Sequence, residues 1–380
     1  MTDKYLGEDL IFIISLPRSG STLLQRVLSG HPEVGVSSEP WILLHQAYAR
    51  RSVGILAEYD QDWSALGINE FIKHYTDGDD AYDDGVRAFA QAIYGNAKRQ
   101  AGVSRFIDKT PRYVLILDDL QRWFPRAKFV FLLRNPLSVL SSVVNTQIQH
   151  DLSTLERFAN ELLRGPAAML DAIAAIEATG DDAIVVRYED FVSHPENELE
   201  RICRQISLDF DPTMLDYSKN PEIKGVMKDR TGVQQHDRPV GERQHGWRKM
   251  LGDAQQLEFA RGYLTALGPD LVTRFGYDFD ELNDAVRGAS ERHRPSGYIF
   301  PWKVAIVSPD AKKGRDQLDV MKYRNIRDHG PVMGRIRTYY RYVVGFWKAL
   351  RFTFGRVESV PDKMRKQEAA RKEGDRPVFR

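Results

Sequence analysis

A run of six apolar and small residues, 10–15, leads directly into a short loop of small and polar residues. The run has the composition of a β-strand that is buried on both faces. The loop is formed by Pro17, Arg18, Ser19, Gly20, Ser21 and Thr22. A helical pattern begins near Ser21. A strand, a short Gly/Ser loop and a helix N-terminus direct backbone N–H groups toward one point, so the segment predicts a site for a phosphate or sulfate group.

Two further runs, 128–134 and 183–188, have the same strand character. Helical patterns follow the three runs at 22–29, 136–147 and 197–206, and residues 151–180 are also helical in character. Strands that alternate with helices predict an α/β fold with a central parallel sheet and helices on both faces. Ligands of such sheets bind at the carboxyl ends of the strands, which is where the loop and Arg134 fall.

Composition excludes several classes of protein. The chain is 42% hydrophobic and 28% charged, as in soluble globular proteins, and no stretch approaches the roughly 20 apolar residues of a membrane-spanning helix. The N-terminus has no secretion signal, so we expect a cytoplasmic protein. Cys203 is the only cysteine, which excludes an intramolecular disulfide and a thiolate metal cluster, and its helical pattern predicts a core position.

The net charge of +1 conceals a basic C-terminal segment. Residues 291–380 contain 22 Lys and Arg against 10 Asp and Glu. We therefore predict a domain at 1–290 and a basic extension at 291–380 with an anionic partner. Within 335–357 aromatic and aliphatic residues recur at helical spacing between basic residues, which favours equally a helix on the cytoplasmic face of a membrane and a helix docked on protein. We expect no nucleic acid as a partner.

The loop differs from that of nucleotide triphosphatases, which have two glycines separated by four residues and followed by Lys and Ser/Thr. This disfavours a kinase or GTPase. Arg18 adds a fork of donors that stays charged, which suits the oxygens of a phosphosulfate. The alternative is a capped helix N-terminus with an incidental arginine.

Residues 14–24 resemble the 5′-phosphosulfate loop of sulfotransferases that use 3′-phosphoadenosine-5′-phosphosulfate (PAPS), most closely in the tyrosylprotein and bacterial branches. Residues 129–142 are similar to the family's 3′-phosphate segment, in which an arginine ends a strand and a serine follows eight residues on, as Arg134 and Ser142 do here. Tyr188 stands in a Tyr-Glu-Asp motif like that near the family's nucleotide. The resemblance implies a P-loop-NTPase-like three-layer fold and PAPS as donor, with 3′,5′-ADP as product. The alternative for 129–142 is a helix capped by Asn135, which leaves the arginine unexplained.

We expect three catalytic residues, Arg18, Glu39 and Lys109, and the last two match the family's catalytic positions. Glu39 lies 21 residues after Arg18, the offset of the catalytic glutamate in tyrosylprotein-type enzymes, so the resemblance implies a general base. Lys109 resembles the lysine that acts on the donor's leaving oxygen. Pro111 stands where small-molecule sulfotransferases have a histidine base, which favours Glu39. The alternative for Glu39 is a solvated loop carboxylate.

Residues 228–251 resemble the family's late nucleotide loop, and either Arg248 or Lys249 is expected to close over the donor. No residues have metal-ligand spacing, and we expect no metal. The sequence as a whole predicts sulfuryl transfer to a hydroxyl, with a glycan or glycolipid as the favoured acceptor. The alternatives are a nucleotide kinase with a degenerate phosphate loop and a non-catalytic nucleotide- or membrane-binding protein.

Overall fold

The computed structural model describes residues 4–52, 54–55, 57–148, 155, 158–221, 223–224, 237–239, 245–291, 336 and 339–340. The chain divides into two compact units, Met1–Asp310 and Ala311–Arg380. The predicted boundary at 290 stays a prediction. Most of the basic extension lies outside the described residues. Of its predicted helix, Ile336, Tyr339 and Tyr340 are described as helical and exposed.

The first unit is built on one sheet of five parallel strands in the order β2-β3-β1-β4-β5. The strands are β1 (Leu10–Ser15), β2 (Val34–Val36), β3 (Arg105–Asp108), β4 (Lys128–Leu133) and β5 (Ile184–Arg187). Every residue of β1 is buried, as expected of a central parallel strand.

Thirteen α-helices are described. They are α1 (Ser21–Leu28), α2 (Leu44–Ala49), α3 (Gln61–Tyr75), α4 (Asp79–Ala101), α5 (Leu117–Trp123), α6 (Pro136–Val143), α7 (Ala159–Ala178), α8 (Tyr188–Ser193), α9 (Pro195–Gln205), α10 (Trp247–Met250), α11 (Ala254–Leu267), α12 (Pro269–Arg274) and α13 (Phe279–Ser290). A 3₁₀ helix spans Pro111–Leu115, and α6 continues into a π turn at Val144–Ile148. Within the described ranges, none of the helices is both long and apolar enough to cross a bilayer.

Successive residues of β1 face opposite sides of the sheet. Ile11 and Ile13 join a buried cluster with Leu24 of α1 and with Cys203 of α9. On the other side, the Phe12 ring stacks on Phe129 at a centroid distance of 5.3 Å and also contacts Phe124, which directly follows α5. The predicted α/β fold with a central parallel sheet and helices on both faces is confirmed, and so is the core position of Cys203.

The three predicted strands are present. β4 ends one residue earlier than predicted, and β5 is one residue shorter at each end. Arg134 lies just beyond β4, and Tyr188 begins α8 instead of ending β5. The predicted helix at 136–147 comprises α6 and the π turn, and the helical segment at 151–180 contains α7. β2 and β3 were not predicted, because they have only three and four residues and so show no clear period in the sequence.

Candidate active site

The predicted anion loop connects β1 to α1, which begins at Ser21 as expected. Arg18 and Gly20 both have left-handed backbone conformations, with φ of 66° and 95°. Residues of this kind between a strand and a helix turn successive N–H groups into one concavity. Gly20 is required for space as well, because a Cβ there would lie 2.5 Å from two atoms of the Tyr188 ring.

The loop has an unsatisfied polar group. Ser19 is fully buried, and its hydroxyl has no hydrogen-bond partner among the residues that the structure describes. A buried hydroxyl without a partner is costly, and a phosphate or sulfate oxygen would supply the missing acceptor. Pro17 and Ser21 are also buried, whereas Thr22 is half-buried at the start of α1. The residues present therefore fit the phosphosulfate end of PAPS.

The structure joins the predicted 3′-phosphate segment to the loop. The Arg18 Nε donates to the Ser142 Oγ at 3.3 Å, and the Arg134 Nη1 donates to the Arg18 carbonyl oxygen at 2.8 Å. The Arg134 guanidinium lies 4.1 Å from the centre of the Tyr188 ring and is 8% exposed. Burial lowers the pKa of Arg134. Four residues predicted from three separate motifs thus form one cluster at the carboxyl end of the sheet.

Glu189 and Tyr277, which were not predicted as site residues, support this cluster. The backbone N–H of Asn135 donates to the Glu189 Oε1 at 3.1 Å, and the Tyr277 hydroxyl donates to the Glu189 Oε2 at 2.8 Å. Burial raises the pKa of Tyr277. Glu189 was visible as part of the Tyr-Glu-Asp motif, but no local signal in the sequence connects Tyr277 to it.

Glu39 and Lys109 form an ion pair. The Lys109 Nζ donates to the Glu39 Oε1 at 2.8 Å, and their side chains are 2% and 19% exposed. The Trp41 indole N–H donates to the Glu39 Oε2 at 3.2 Å, so both carboxylate oxygens have a partner. Glu39 follows β2 and Lys109 follows β3. Because these strands are neighbours, their carboxyl ends bring the two residues together.

Asp108 ends β3 and is 1% exposed. Its Oδ2 accepts from the hydroxyls of Tyr94 at 2.5 Å and Tyr113 at 2.8 Å, and its Oδ1 accepts from the Thr110 hydroxyl at 2.9 Å. Burial is the largest influence and raises the pKa of Asp108 from 3.8 to about 6, although the hydroxyls and Lys109 act in the opposite direction. Asp108 was not predicted as a site residue, because a carboxyl group at a strand end has no sequence signature of its own.

The raised pKa makes the stability contribution of Asp108 depend on pH. The folded protein holds this proton more tightly than the unfolded chain does, so the stabilisation is complete below pH 3.8 and is lost as the pH rises through about 6. The free energy of unfolding of the wild type, relative to that of Asp108→Asn, should therefore fall by up to about 3 kcal/mol between those limits. Urea unfolding of both proteins across this pH range measures the difference, since the other carboxyl groups are common to both. A difference that stays constant with pH would contradict the prediction.

Arg248 and Lys249 lie on α10 and are exposed. Arg248 pairs with Glu281 of α13 at 3.0 Å and lies over the Trp247 ring. Helix α10 packs against α6, which contains Ser142. The predicted closure over the donor stays a prediction, since much of the loop lies outside the described residues. Among the residues that are described, no group of three or more His, Cys, Asp or Glu side chains could hold a metal ion.

The chain is similar to several known proteins. The chain is 28% identical over 289 residues to nodulation protein NoeE of Sinorhizobium fredii, which covers 71% of this chain and 66% of NoeE. It is 26% identical over 209 residues to a putative protein-tyrosine sulfotransferase of Caenorhabditis briggsae, covering 55% of this chain and 69% of that protein. The chain thus spans about two thirds of the length of these relatives.

Among solved structures, the sulfotransferase domain of the Synechococcus PCC 7002 olefin synthase matches with a TM-score of 0.46 and 25% identity, over 73% of this chain and 97% of that domain. A family model described as "Sulfotransferase family" matches residues 9–212, more than half of the chain. The match contains the anion loop, the Glu39–Lys109 pair and the cluster around Arg134. The chain belongs to the sulfotransferase family.

Proposed function

We propose that this protein transfers a sulfuryl group from PAPS to a hydroxyl acceptor by in-line displacement. The observation that carries the proposal is the Lys109–Glu39 ion pair after β3 and β2, at the same edge of the sheet as the loop after β1, whose Arg18 is hydrogen-bonded to Ser142 and Arg134. A site for two phosphate groups favours a donor with phosphates on both the 5′ and 3′ positions. PAPS supplies an activated sulfuryl group, and its transfer leaves 3′,5′-ADP.

The residues divide into donor-binding and catalytic groups. The backbone of the loop 17–22 and the Arg18 side chain bind the phosphosulfate, while Arg134 and Ser142 bind the 3′-phosphate and Tyr188 lies against the nucleotide. Glu39 accepts the proton of the attacking hydroxyl. The positive charge of Lys109 stabilises the negative charge that develops on the leaving oxygen. The Lys109 ammonium has three N–H donors and gives one to Glu39, so it can stabilise the leaving oxygen while it orients the base.

The donor proposal predicts a nucleotide preference. In isothermal titration calorimetry, 3′,5′-ADP should bind at least about tenfold more tightly than 5′-AMP or ATP, because Arg134 and Ser142 contact a 3′-phosphate that only this nucleotide has. Arg134→Lys should reduce the preference, since an ammonium cannot reproduce the guanidinium fork. Arg126→Lys is the control, because Arg126 pairs with Glu8 at the exposed surface. Tighter binding of ATP would favour the nucleotide kinase instead.

For the acceptor, we propose a glycan or glycolipid. Trp41 supports this choice because its half-buried indole lies beside Glu39, where an aromatic face can pack against a sugar ring. A tyrosine side chain is the second candidate, since several relatives are named protein-tyrosine sulfotransferases. Contact of the basic extension with a membrane surface, and a cytoplasmic location, remain part of the proposal and rest on the sequence alone.

An assay with two probes separates these acceptors. We expect transfer of the label from [³⁵S]PAPS to methyl β-D-glucoside to exceed transfer to N-acetyltyrosine amide. The Glu39→Gln protein serves as the control for label that is transferred without the base. The opposite ranking would replace the glycan by tyrosine, and the absence of transfer to any hydroxyl in a wider panel would favour the non-catalytic alternative.

A further inference from the structure

The segment 39–43, which carries Glu39, has an unfavourable backbone conformation. Trp41 has a φ of 60°, in the left-handed region that bulky side chains rarely adopt. The Trp41 indole N–H donates to the Glu39 Oε2, so a displacement of the indole would also displace the Glu39 carboxylate. The Arg112 guanidinium lies 5.6 Å from the centre of the indole ring and is itself paired with the buried Glu161. A left-handed conformation at a tryptophan persists only where surrounding contacts stabilise it, so other contacts of this segment have to offset its cost.

Two backbone hydrogen bonds attach the segment to the residues after β3. The Trp41 N–H donates to the Thr110 Oγ1 at 3.4 Å, and the Leu43 N–H donates to the Tyr113 hydroxyl oxygen at 3.3 Å. Each hydroxyl can accept these bonds only if its own hydrogen points elsewhere. The direction of the hydroxyl hydrogens thus determines whether the segment is held.

Asp108 determines that direction. Both hydroxyls donate to its carboxylate, Thr110 to one oxygen and Tyr113 to the other. An ionised carboxylate accepts hydrogen bonds and donates none. Both hydrogens therefore point inward to Asp108, and the lone pairs of both oxygens remain for the N–H groups of the segment.

We propose that Asp108 is a positioning residue for the catalytic pair, which acts through Thr110 and Tyr113 to hold Trp41, and hence the Glu39 carboxylate, against Lys109. This inference rests on the proposed role of Glu39 as base. Lys109 directly follows Asp108 in the chain, so one strand end sets both members of the pair. The competing explanation is that the hydroxyls only satisfy a buried carboxylate and have no effect on the segment.

Tyr94 offers a matched control. Its hydroxyl donates to the same Asp108 oxygen as that of Tyr113, and both rings are buried, with exposures of 2% and 0%. Of these two tyrosine hydroxyls, however, only that of Tyr113 also accepts from the segment in the described part of the chain. Tyr94→Phe and Tyr113→Phe therefore remove the same contact to Asp108 but differ in their effect on the segment.

The first measurement needs no acceptor. Of the six tryptophan residues, Trp41 can be assigned in a ¹H–¹⁵N spectrum by the loss of one indole signal in Trp41→Phe. We expect this signal to shift or broaden in Tyr113→Phe and Thr110→Val, and to stay at its wild-type position in Tyr94→Phe and Thr110→Ser. Equal shifts in Tyr94→Phe and Tyr113→Phe, or no shift in either Tyr113→Phe or Thr110→Val, would overturn the proposal. The Thr110 pair keeps the test decisive if a tyrosine variant does not fold.

The second measurement is turnover of [³⁵S]PAPS with methyl β-D-glucoside or N-acetyltyrosine amide, whichever the wild type uses. Tyr113→Phe and Thr110→Val should lower kcat by about 10- to 100-fold with the affinity for 3′,5′-ADP unchanged, because a displaced base costs rate and not donor binding. Unchanged kcat in both variants would contradict the proposal. If instead Glu39→Gln keeps full activity, the proposed function has the wrong base, and the indole signal still decides whether the Thr110 and Tyr113 hydroxyls hold the segment.

Discussion

Replacing Glu39 by glutamine should lower the kcat of sulfuryl transfer by about 10²- to 10⁴-fold and leave the affinity for 3′,5′-ADP close to that of the wild type. Glutamine keeps the size of the side chain, and its one carbonyl oxygen can still accept a hydrogen bond from Lys109, but the amide cannot take the proton of the acceptor hydroxyl. We expect the rate of the chemical step to fall, and the affinity for the donor to stay the same because the donor is bound by other residues. Single-turnover transfer from [³⁵S]PAPS measures the rate, and calorimetry measures the affinity.

The control for this substitution is Glu33→Gln. Glu33 precedes β2 at the opposite end of the strand, is exposed, and accepts from the Ser104 hydroxyl at 2.8 Å. It should keep the wild-type rate. A Glu39→Gln protein that transfers the label at the wild-type rate would show that another group takes the proton.

Replacing Lys109 by methionine should lower kcat by about 10²- to 10³-fold, with a smaller loss of affinity for 3′,5′-ADP. Methionine has a similar length, so the buried site stays filled, but the positive charge that offsets the developing charge on the leaving oxygen is lost. Because this charge matters most as the bond to sulfur breaks, the rate should fall more than the binding does. Turnover and calorimetry on the same preparation separate the two quantities.

Two further variants test this explanation. Lys109→Arg keeps the charge but has a wider, planar head group, so it should recover only part of the rate. Lys128→Met is the matched control, since Lys128 begins β4 at the far end of the sheet from the site. If Lys109→Met reduced affinity and left kcat unchanged, Lys109 would bind the donor without a role in the reaction.

The parts of the fold that were predicted correctly are those with strong local patterns. Continuous apolar runs indicated β1, β4 and β5, and the sequence after β1 indicated the start of α1 at Ser21. The strands β2 and β3 are stabilised by their pairing with neighbours, so three or four residues suffice in the structure although they are too few to show a period in the sequence.

Site residues in local sequence motifs were predicted, whereas those that depend on tertiary contacts were missed. The loop, Arg134 and Ser142 belong to continuous motifs and were identified from them. The contact between Lys109 and Glu39 spans 70 residues and depends on the pairing of β2 with β3. Asp108 and Tyr277 act through partners that only the tertiary structure brings near, so their importance could not be inferred from residue type and spacing.

The order of the strands separates the two halves of the site. The anion loop follows β1, which has a neighbour on each side, whereas Glu39 and Trp41 follow β2, which in the part of the chain that the structure describes pairs only with β3. Insertions and substitutions after an edge strand disturb fewer contacts than those after a central strand. We therefore expect substitutions after β2 that keep Glu39 and Trp41 to change the acceptor preference with less effect on the donor site than substitutions in the loop after β1, and an engineer who wants to redirect such an enzyme should vary those positions first.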